Sequence, residues 1–204
     1  MPESGLPPTP RRLRLAGATA VVSAFLVVPW FIVTFLVSEK RALWVVVTEI
    51  GLLVGSTVCL VFLLLTLRAF VVGYYGYTRT DRLISLLACA NVVLTGVSLV
   101  NRLVPALEEG AGVVGIGLVI IIGVAQALFG VRLLQLPSPL GGMLRPYCFL
   151  NIVTGFCLAT LVLLPFGMLT SAVSDIMLGT IFFLAARSLD ASLPSHSPSD
   201  RSEV

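Results

Sequence analysis

The sequence predicts an all-α, polytopic integral membrane protein: a bundle of six transmembrane helices with the N-terminus and the C-terminus in the cytoplasm. Of the 204 residues, 57% are hydrophobic and only 11% are charged, whereas soluble domains carry about 25% charged residues. The charges are also confined to short segments between long apolar runs, and most of these runs are long enough to cross a bilayer as a helix. The chain is therefore expected to form a single membrane domain.

Apolar runs and the polar or proline-containing segments between them set the predicted helix boundaries. Proline lacks a backbone N–H and ends or kinks a helix, so Pro105 and Pro165 are expected at helix ends and Pro29 at a kink. The predicted helices span residues 15–37, 42–67, 83–104, 113–136, 147–164 and 166–186.

Both ends of the chain have the composition of disordered segments. Residues 1–14 are rich in proline with a terminal basic cluster, and residues 188–204 are polar and rich in proline and serine. Such segments bury too little apolar surface to fold alone. We expect a disordered basic lead, a transmembrane domain over residues 15–187 and a disordered tail.

The placement of the basic residues predicts the orientation. With the N-terminus inside, ten of the 13 Lys and Arg residues fall on the inner side and three on the outer side. This asymmetry is the positive-inside pattern, so both termini are expected in the cytoplasm. The inner residues are Arg11, Arg12, Arg14, Arg68, Arg79, Arg82, Arg132, Arg145, Arg187 and Arg201, and the outer residues are Lys40, Arg41 and Arg102.

A weak internal repeat leaves two architectures open. The segment from Asn91 to Gly96 in the third predicted helix resembles the segment from Asn151 to Gly155 in the fifth, and both helices run outward. Three consecutive helical hairpins are one possible architecture and two inverted halves of three helices each are another, and a match this short does not choose between them.

Asp175 is the one charged residue in the apolar run from residue 166 to residue 186. An ionised carboxylate at the centre of a membrane helix costs about 2.5–3.5 kcal/mol, so it requires a partner or a proton. Ser171 and Gly179 lie one helical turn to either side of Asp175 on the same face. We expect that face to point into the bundle.

Three more polar residues at membrane depth, Glu49, Asn91 and Gln126, are expected around a central site with Asp175. In the functional hypothesis, the carboxyl groups of Glu49 and Asp175 bind a proton or a cation during transport. In the structural hypothesis, each polar group bonds a neighbouring helix and fixes its register, contributing about 0.6 kcal/mol. Glu49 would then pair with Arg102 near the outer surface.

Small residues spaced four apart indicate close helix packing, because they let two backbones approach each other. We expect these contacts within one chain, although contacts between subunits stay open. The candidates are Gly51, Gly55, Gly123, Ala127, Gly155, Ala159 and Gly179.

Residue types needed for most catalytic and metal sites are scarce. The four cysteines are scattered singly, and the one histidine, His196, lies in the polar tail. A histidine-based metal site, a haem and a Ser–His catalytic pair are therefore not expected. We expect no metal, no cofactor and no enzymatic activity, and the membrane explains the modest net charge of +3 without a nucleic-acid partner.

Three classes of function remain. A non-catalytic membrane subunit or scaffold is favoured, because most of the polar positions have a packing explanation. The alternative is a small transporter or channel that couples to protons or cations through Asp175 and Glu49, and a membrane enzyme is the third. The expected partners are the lipid bilayer and either other membrane subunits or further copies of this chain. The expected location is the plasma (inner) membrane.

Overall fold

The computed structural model describes residues 9–32, 43–76, 80–104, 108–136 and 142–192, and within these ranges it is all-helical. The prediction of an all-α bundle of six helices is confirmed. The helices are α1 (Pro10–Ile32), α2 (Leu43–Tyr75), α3 (Asp81–Leu103), α4 (Glu108–Leu133), α5 (Leu144–Ala159) and α6 (Leu164–Ser192).

Length and composition make this bundle a membrane bundle. Four helical segments in the described ranges are long and apolar enough to cross a membrane: Trp44–Tyr75, Asp81–Leu103, Gly110–Leu133 and Leu164–Ala191. α5 is also apolar but has 16 residues, about 24 Å at 1.5 Å per residue. Apolar side chains cover much of the outer surface, as expected where lipid tails replace water.

The six helices form a closed ring in chain order. In the described part of the chain, each helix packs against the helices before and after it, and α1 packs against α6 to close the ring. Adjacent helices are antiparallel, because their paired positions run in opposite directions. Between α2 and α3 the pairs are Arg68–Asp81, Thr57–Thr95 and Glu49–Arg102, and between α5 and α6 they are Asn151–Ser174 and Thr154–Thr170. The fold is an up-and-down ring, in which opposite helices face each other across the centre.

The core is concentrated at the end of the ring where α1 begins and α6 ends, here called the basic end. Phe70 of α2 meets Phe182 of α6 edge-to-face, with ring centroids 6.3 Å apart, and Phe129 of α4 is buried in the same hydrophobic core. These three residues are here called the aromatic cluster. These residues close the ring at the basic end. Its described arginines are Arg11, Arg12, Arg14, Arg68, Arg82, Arg132, Arg145 and Arg187.

At the N-terminus, the prediction of a disordered lead up to residue 14 is wrong over its last part, since α1 begins at Pro10. Proline is well tolerated in the first turn of a helix, where its missing N–H has no partner to lose. Leu13 is fully buried, and Arg14 forms an ion pair with Asp190 of α6. α1 continues through Pro29 to Ile32, and the predicted extension to residue 37 lies outside the described residues.

α2 and α6 both extend further at the basic end than predicted. α2 continues to Tyr75 rather than residue 67, because Phe70 and Val71 lie in the core and Arg68 pairs with Asp81 of α3. α6 continues to Ser192 rather than residue 186, so the first residues of the predicted disordered tail are helical. The remainder of that tail lies outside the described residues.

The turn between α5 and α6 comes earlier than predicted. α5 ends at Ala159 rather than residue 164, and α6 begins at Leu164 with a proline as its second residue. Pro165 has no N–H to donate to the carbonyl of Leu161, four residues earlier, and its ring crowds that carbonyl, so a continuous helix is disfavoured there. Leu161 instead adopts a positive φ of 56° and turns the chain.

α4 is displaced toward the N-terminus relative to its predicted span, running from Glu108 to Leu133 rather than over residues 113–136. Each glycine in its first turns disfavours a helix by about 1 kcal/mol. Unpaired backbone groups in an apolar environment cost more than that, so the helix forms.

Candidate functional site

A cavity of about 180 Å³ lies inside the ring, on the side of the aromatic cluster away from the basic end. Five helices, α2 to α6, contribute to its wall, and leucines form much of its apolar part. The polar side chains that line it are Asn91, Gln126, Tyr147, Asn151, Ser171, Ser174 and Asp175. Three of the four polar residues proposed from the sequence, Asp175, Asn91 and Gln126, are thus brought together.

Asp175 on α6 has a hydrogen-bond partner on α1, the helix that packs against α6 to close the ring. Ser23 of α1 donates a hydrogen bond from Oγ to Oδ2 of Asp175 at 2.9 Å. In the described ranges, the three ion pairs are Arg14–Asp190, Arg68–Asp81 and Arg102–Glu49, and none involves Asp175. The one acid on the cavity wall therefore has a hydroxyl partner and no described cationic partner.

Asn151 joins three helices at the cavity wall and is 5% exposed. Its Nδ2 donates to Oγ of Ser174 on α6 at 3.1 Å and to the backbone oxygen of Tyr147 at 2.9 Å. Its Oδ1 accepts a hydrogen bond from Nε2 of Gln126 on α4 at 3.2 Å. This side chain fixes the relative positions of α4, α5 and α6 beside Asp175.

Asn91 contributes differently from Asn151. Its Nδ2 donates to the backbone oxygen of Leu87 in its own helix at 2.8 Å. No hydrogen bond to its Oδ1 occurs in the described part of the chain. The side chain therefore offers an acceptor oxygen to the cavity from α3, across the ring from α6.

Glu49 does not belong to this cavity, which corrects the hypothesis that placed it beside Asp175. Its position is about 16 Å along α2 from Leu60, the cavity residue nearest to it on that helix. Glu49 is 7% exposed and forms an ion pair with Arg102 of α3. This pairing is the structural alternative considered for Glu49, so one of the two membrane-depth acids is neutralised within the chain.

Two residues of the site, Tyr147 and Ser23, were not singled out from the sequence. Tyr147 stood at the start of a predicted helix, where it resembled a boundary residue, and the structure places it on the cavity wall. Ser23 is a single serine in a long apolar helix, a pattern with no specific meaning. Asn151 was noted only as the start of the segment that resembles the one at Asn91, and its hydrogen bonds and cavity position were not predicted.

Small residues hold the two closest helix pairs together. A Cβ built on Gly123 would lie 2.6 Å from the backbone of Gly155 and Ala159, and one on Gly155 would lie 2.5 Å from the backbone of Ala127. On the other pair, Gly179 of α6 lies against Gly17 of α1. These positions pack helices within the chain.

Gly51 and Gly55 differ from the other candidates for packing within the chain. A Cβ on either would meet no atom within 4 Å. Gly51 lies on the same face of α2 as the exposed side chains of Val47, Val54 and Val58, which points out of the ring. Neither glycine is at a close helix contact within the described part of the chain, so the expectation that they pack helices within the chain stays a prediction.

The chemistry available at the cavity is proton or cation binding by oxygen atoms. Among the described residues, no group of three or more His, Cys, Asp or Glu side chains could hold a metal ion. The cavity wall offers one carboxyl group, three carboxamides, two serine hydroxyls and a phenol. Comparisons with protein-family models, curated proteins and solved structures found no match to this chain.

Proposed function

We propose that this protein is a small, non-enzymatic membrane carrier that binds a proton or a small cation at Asp175. The supporting observation is that the two acids at membrane depth have different partners. Glu49 has Arg102 as a counter-ion, whereas Asp175 faces a cavity and has Ser23 as its described partner. An ionised carboxylate at that depth is costly without a positive charge, so a proton or a bound cation has to supply it.

The size and lining of the cavity suit a small cation. A volume of about 180 Å³ admits such an ion with a few water molecules. Oxygen atoms from Asp175, Asn91 and Ser171 surround this space from two sides of the ring, and oxygens are the preferred ligands of hard cations. The leucines on the remaining wall limit the access of bulk water.

Uneven packing of the ring favours access from one side. The aromatic cluster of Phe70, Phe129 and Phe182 fills the basic end with side chains at most 1% exposed. Few described side chains are buried beyond the cavity toward the opposite end. In the proposed carrier, an ion enters from the end that carries Glu49, and separation of the aromatic cluster would release it at the basic end.

The membrane topology belongs to the same proposal. Six crossings, cytoplasmic termini and a plasma-membrane location are supported by the arginines at the basic end, the up-and-down ring and the four long apolar helices. Labelling of engineered cysteines with a membrane-impermeant reagent, before and after the cells are permeabilised, tests these three features. Ser192 should be labelled only after permeabilisation when it is changed to cysteine, and Leu103 should be labelled in intact cells.

The carrier proposal is tested with purified protein in sealed vesicles containing a pH-sensitive dye. Imposed gradients of protons, Na⁺ and K⁺ serve as the probes, and wild type is compared with Asp175→Asn. Asp190→Asn is the matched control, because Asp190 is an exposed acid on the same helix. Flux should be lost in Asp175→Asn and retained in Asp190→Asn. Equal flux in all three proteins, or none in wild type under every gradient, would contradict the proposal.

A non-catalytic membrane subunit is the second candidate, and the hydrogen bonds of Asn151 favour it. A network that joins α4, α5 and α6 fixes helix register, and this role needs no transported ligand. In this case Asp175→Asn should leave assembly unchanged, because an amide can still accept the hydrogen bond from Ser23. Purification in mild detergent from native membranes, with the mass of the complex as readout, separates the two candidates.

A further inference from the structure

A groove of about 260 Å³ opens between α3, α4 and the turn from α5 to α6, away from the basic end. Its walls are mostly apolar, with Leu94, Ile116 and Leu161 among them. On the α4 side, Gly112 and Gly115 have no side chains, so the helix backbone itself forms the wall. A Cβ on either would meet no atom within 4 Å. The groove is separate from the central cavity and shares no lining residue with it.

One buried polar atom in the groove has no described hydrogen-bond partner. Among the described residues, none donates a hydrogen bond to Oδ1 of Asn101. Leaving such a group unpaired in apolar surroundings costs roughly 1–3 kcal/mol. Asn101 lies two residues before Leu103, the last residue of α3, so it sits near the boundary between lipid tails and headgroups. An occupant that donates a hydrogen bond at this depth would remove the cost.

We infer that this groove binds the hydroxyl end of a membrane amphiphile, with its hydroxyl on Asn101 and its hydrocarbon chain against the apolar wall. A hydroxyl both donates and accepts, so it can satisfy a carboxamide in either orientation. The bare backbone at Gly112 and Gly115 gives the chain room to lie close to α4.

The dimensions of the groove favour a hydrocarbon chain over a partner helix. Because α3 and α4 pack against each other, a partner helix, about 10–12 Å across with its side chains, would lie over the groove rather than enter it. A single hydrocarbon chain is narrower and fits lengthwise between α3 and α4. This site does not depend on cation binding at Asp175, so either proposal can fail without the other.

The test uses a long-chain alcohol carrying a photoreactive group, together with its methyl ether, which accepts but cannot donate a hydrogen bond. Each probe is added to the full-length protein in vesicles, irradiated, and located by mass spectrometry of the labelled peptides. Wild type should be labelled on α3 and α4, with the alcohol exceeding the ether about three- to fivefold, the ratio expected from one hydrogen bond.

Three variants assign the labelling to the groove. Asn101→Leu should make the alcohol and the ether equal, and Gly115→Leu should fill the groove and abolish labelling by both. Gly51→Leu is the matched control, since it adds the same side chain to open space on α2, and its labelling should equal that of wild type. Equal labelling of wild type by alcohol and ether would overturn the inference. So would labelling that survives Gly115→Leu, or a change in oligomeric mass in that variant without loss of labelling.

Discussion

Ser23 Oγ lies 2.9 Å from Asp175 Oδ2 and donates a hydrogen bond to it, joining the first helix of the ring to the last. This hydrogen bond is one of the contacts between α1 and α6 that close the ring, and it also holds the acid of the cavity. Asp175 therefore links the architecture of the bundle to its proposed function, and changes at Ser23 and at Asp175 have separable effects.

Ser23→Ala should lower the free energy of unfolding by about 1 kcal/mol, because it removes a hydrogen bond between helices inside the membrane. Thr19→Ala is the control, since Thr19 is on the same helix and bonds its own backbone at Leu15. Unfolding in detergent followed by circular dichroism measures both. If the two variants lose equal stability, the contact between α1 and α6 does not stabilise the closed ring.

Arg102→Met should destabilise the protein by about 3 kcal/mol, because it leaves the Glu49 carboxylate buried without a counter-ion. Glu49→Leu should cost less, since the partly exposed guanidinium of Arg102 can reach the membrane surface. The double variant should recover much of the loss in Arg102→Met. A thermodynamic cycle over the four proteins measures the coupling, and purely additive effects would show that the pair is not formed in the membrane.

Gly123→Ala should destabilise the bundle by about 1–3 kcal/mol, because the new methyl group meets the α5 backbone and forces α4 away. Gly117→Ala is the matched control in the same helix, and its Cβ meets nothing within 4 Å. The control should be neutral or slightly stabilising, because alanine is the better helix former. Melting temperatures of the two variants in one detergent provide the comparison, and equal values would contradict the close approach of α4 and α5.

Asn151→Leu should cost about 1–2 kcal/mol, because it leaves Gln126 and Ser174 without their shared partner at the cavity wall. Thr160→Val is the control, because Thr160 directly follows α5 and its side chain bonds only backbone carbonyls of that helix. The carrier proposal adds that ion flux in Asn151→Leu falls even when the protein remains folded. Full flux with lowered stability would restrict Asn151 to a structural role.

Helix number and class were predictable because they depend on local properties. Runs of apolar residues such as 43–67 and 166–186 must satisfy their backbone groups internally in lipid, so each forms a helix whatever its neighbours are. Helix ends were less predictable. Arg68 and Asp190 look like loop or tail residues in the sequence, and each becomes helical because a charged partner on another helix holds it.

The site was predictable in part. Asp175, Asn91 and Gln126 were recognised because polar residues are costly at membrane depth. The same criterion selected Glu49, but depth alone does not distinguish an acid on the cavity from one paired with a neighbouring arginine. The GxxxG spacing of Gly51 and Gly55 likewise shows that helices can approach, without showing on which side of α2 a partner lies.

By itself, the sequence determined that the protein is an all-helical membrane bundle with an acid at membrane depth, because hydropathy and the cost of buried charge act residue by residue. Only the tertiary structure decided that the helices close into a ring between α1 and α6. It also decided that Asp175 faces a cavity and Glu49 faces Arg102. Those outcomes depend on which faces of distant helices meet, and the periodicity of a single helix does not specify its neighbours.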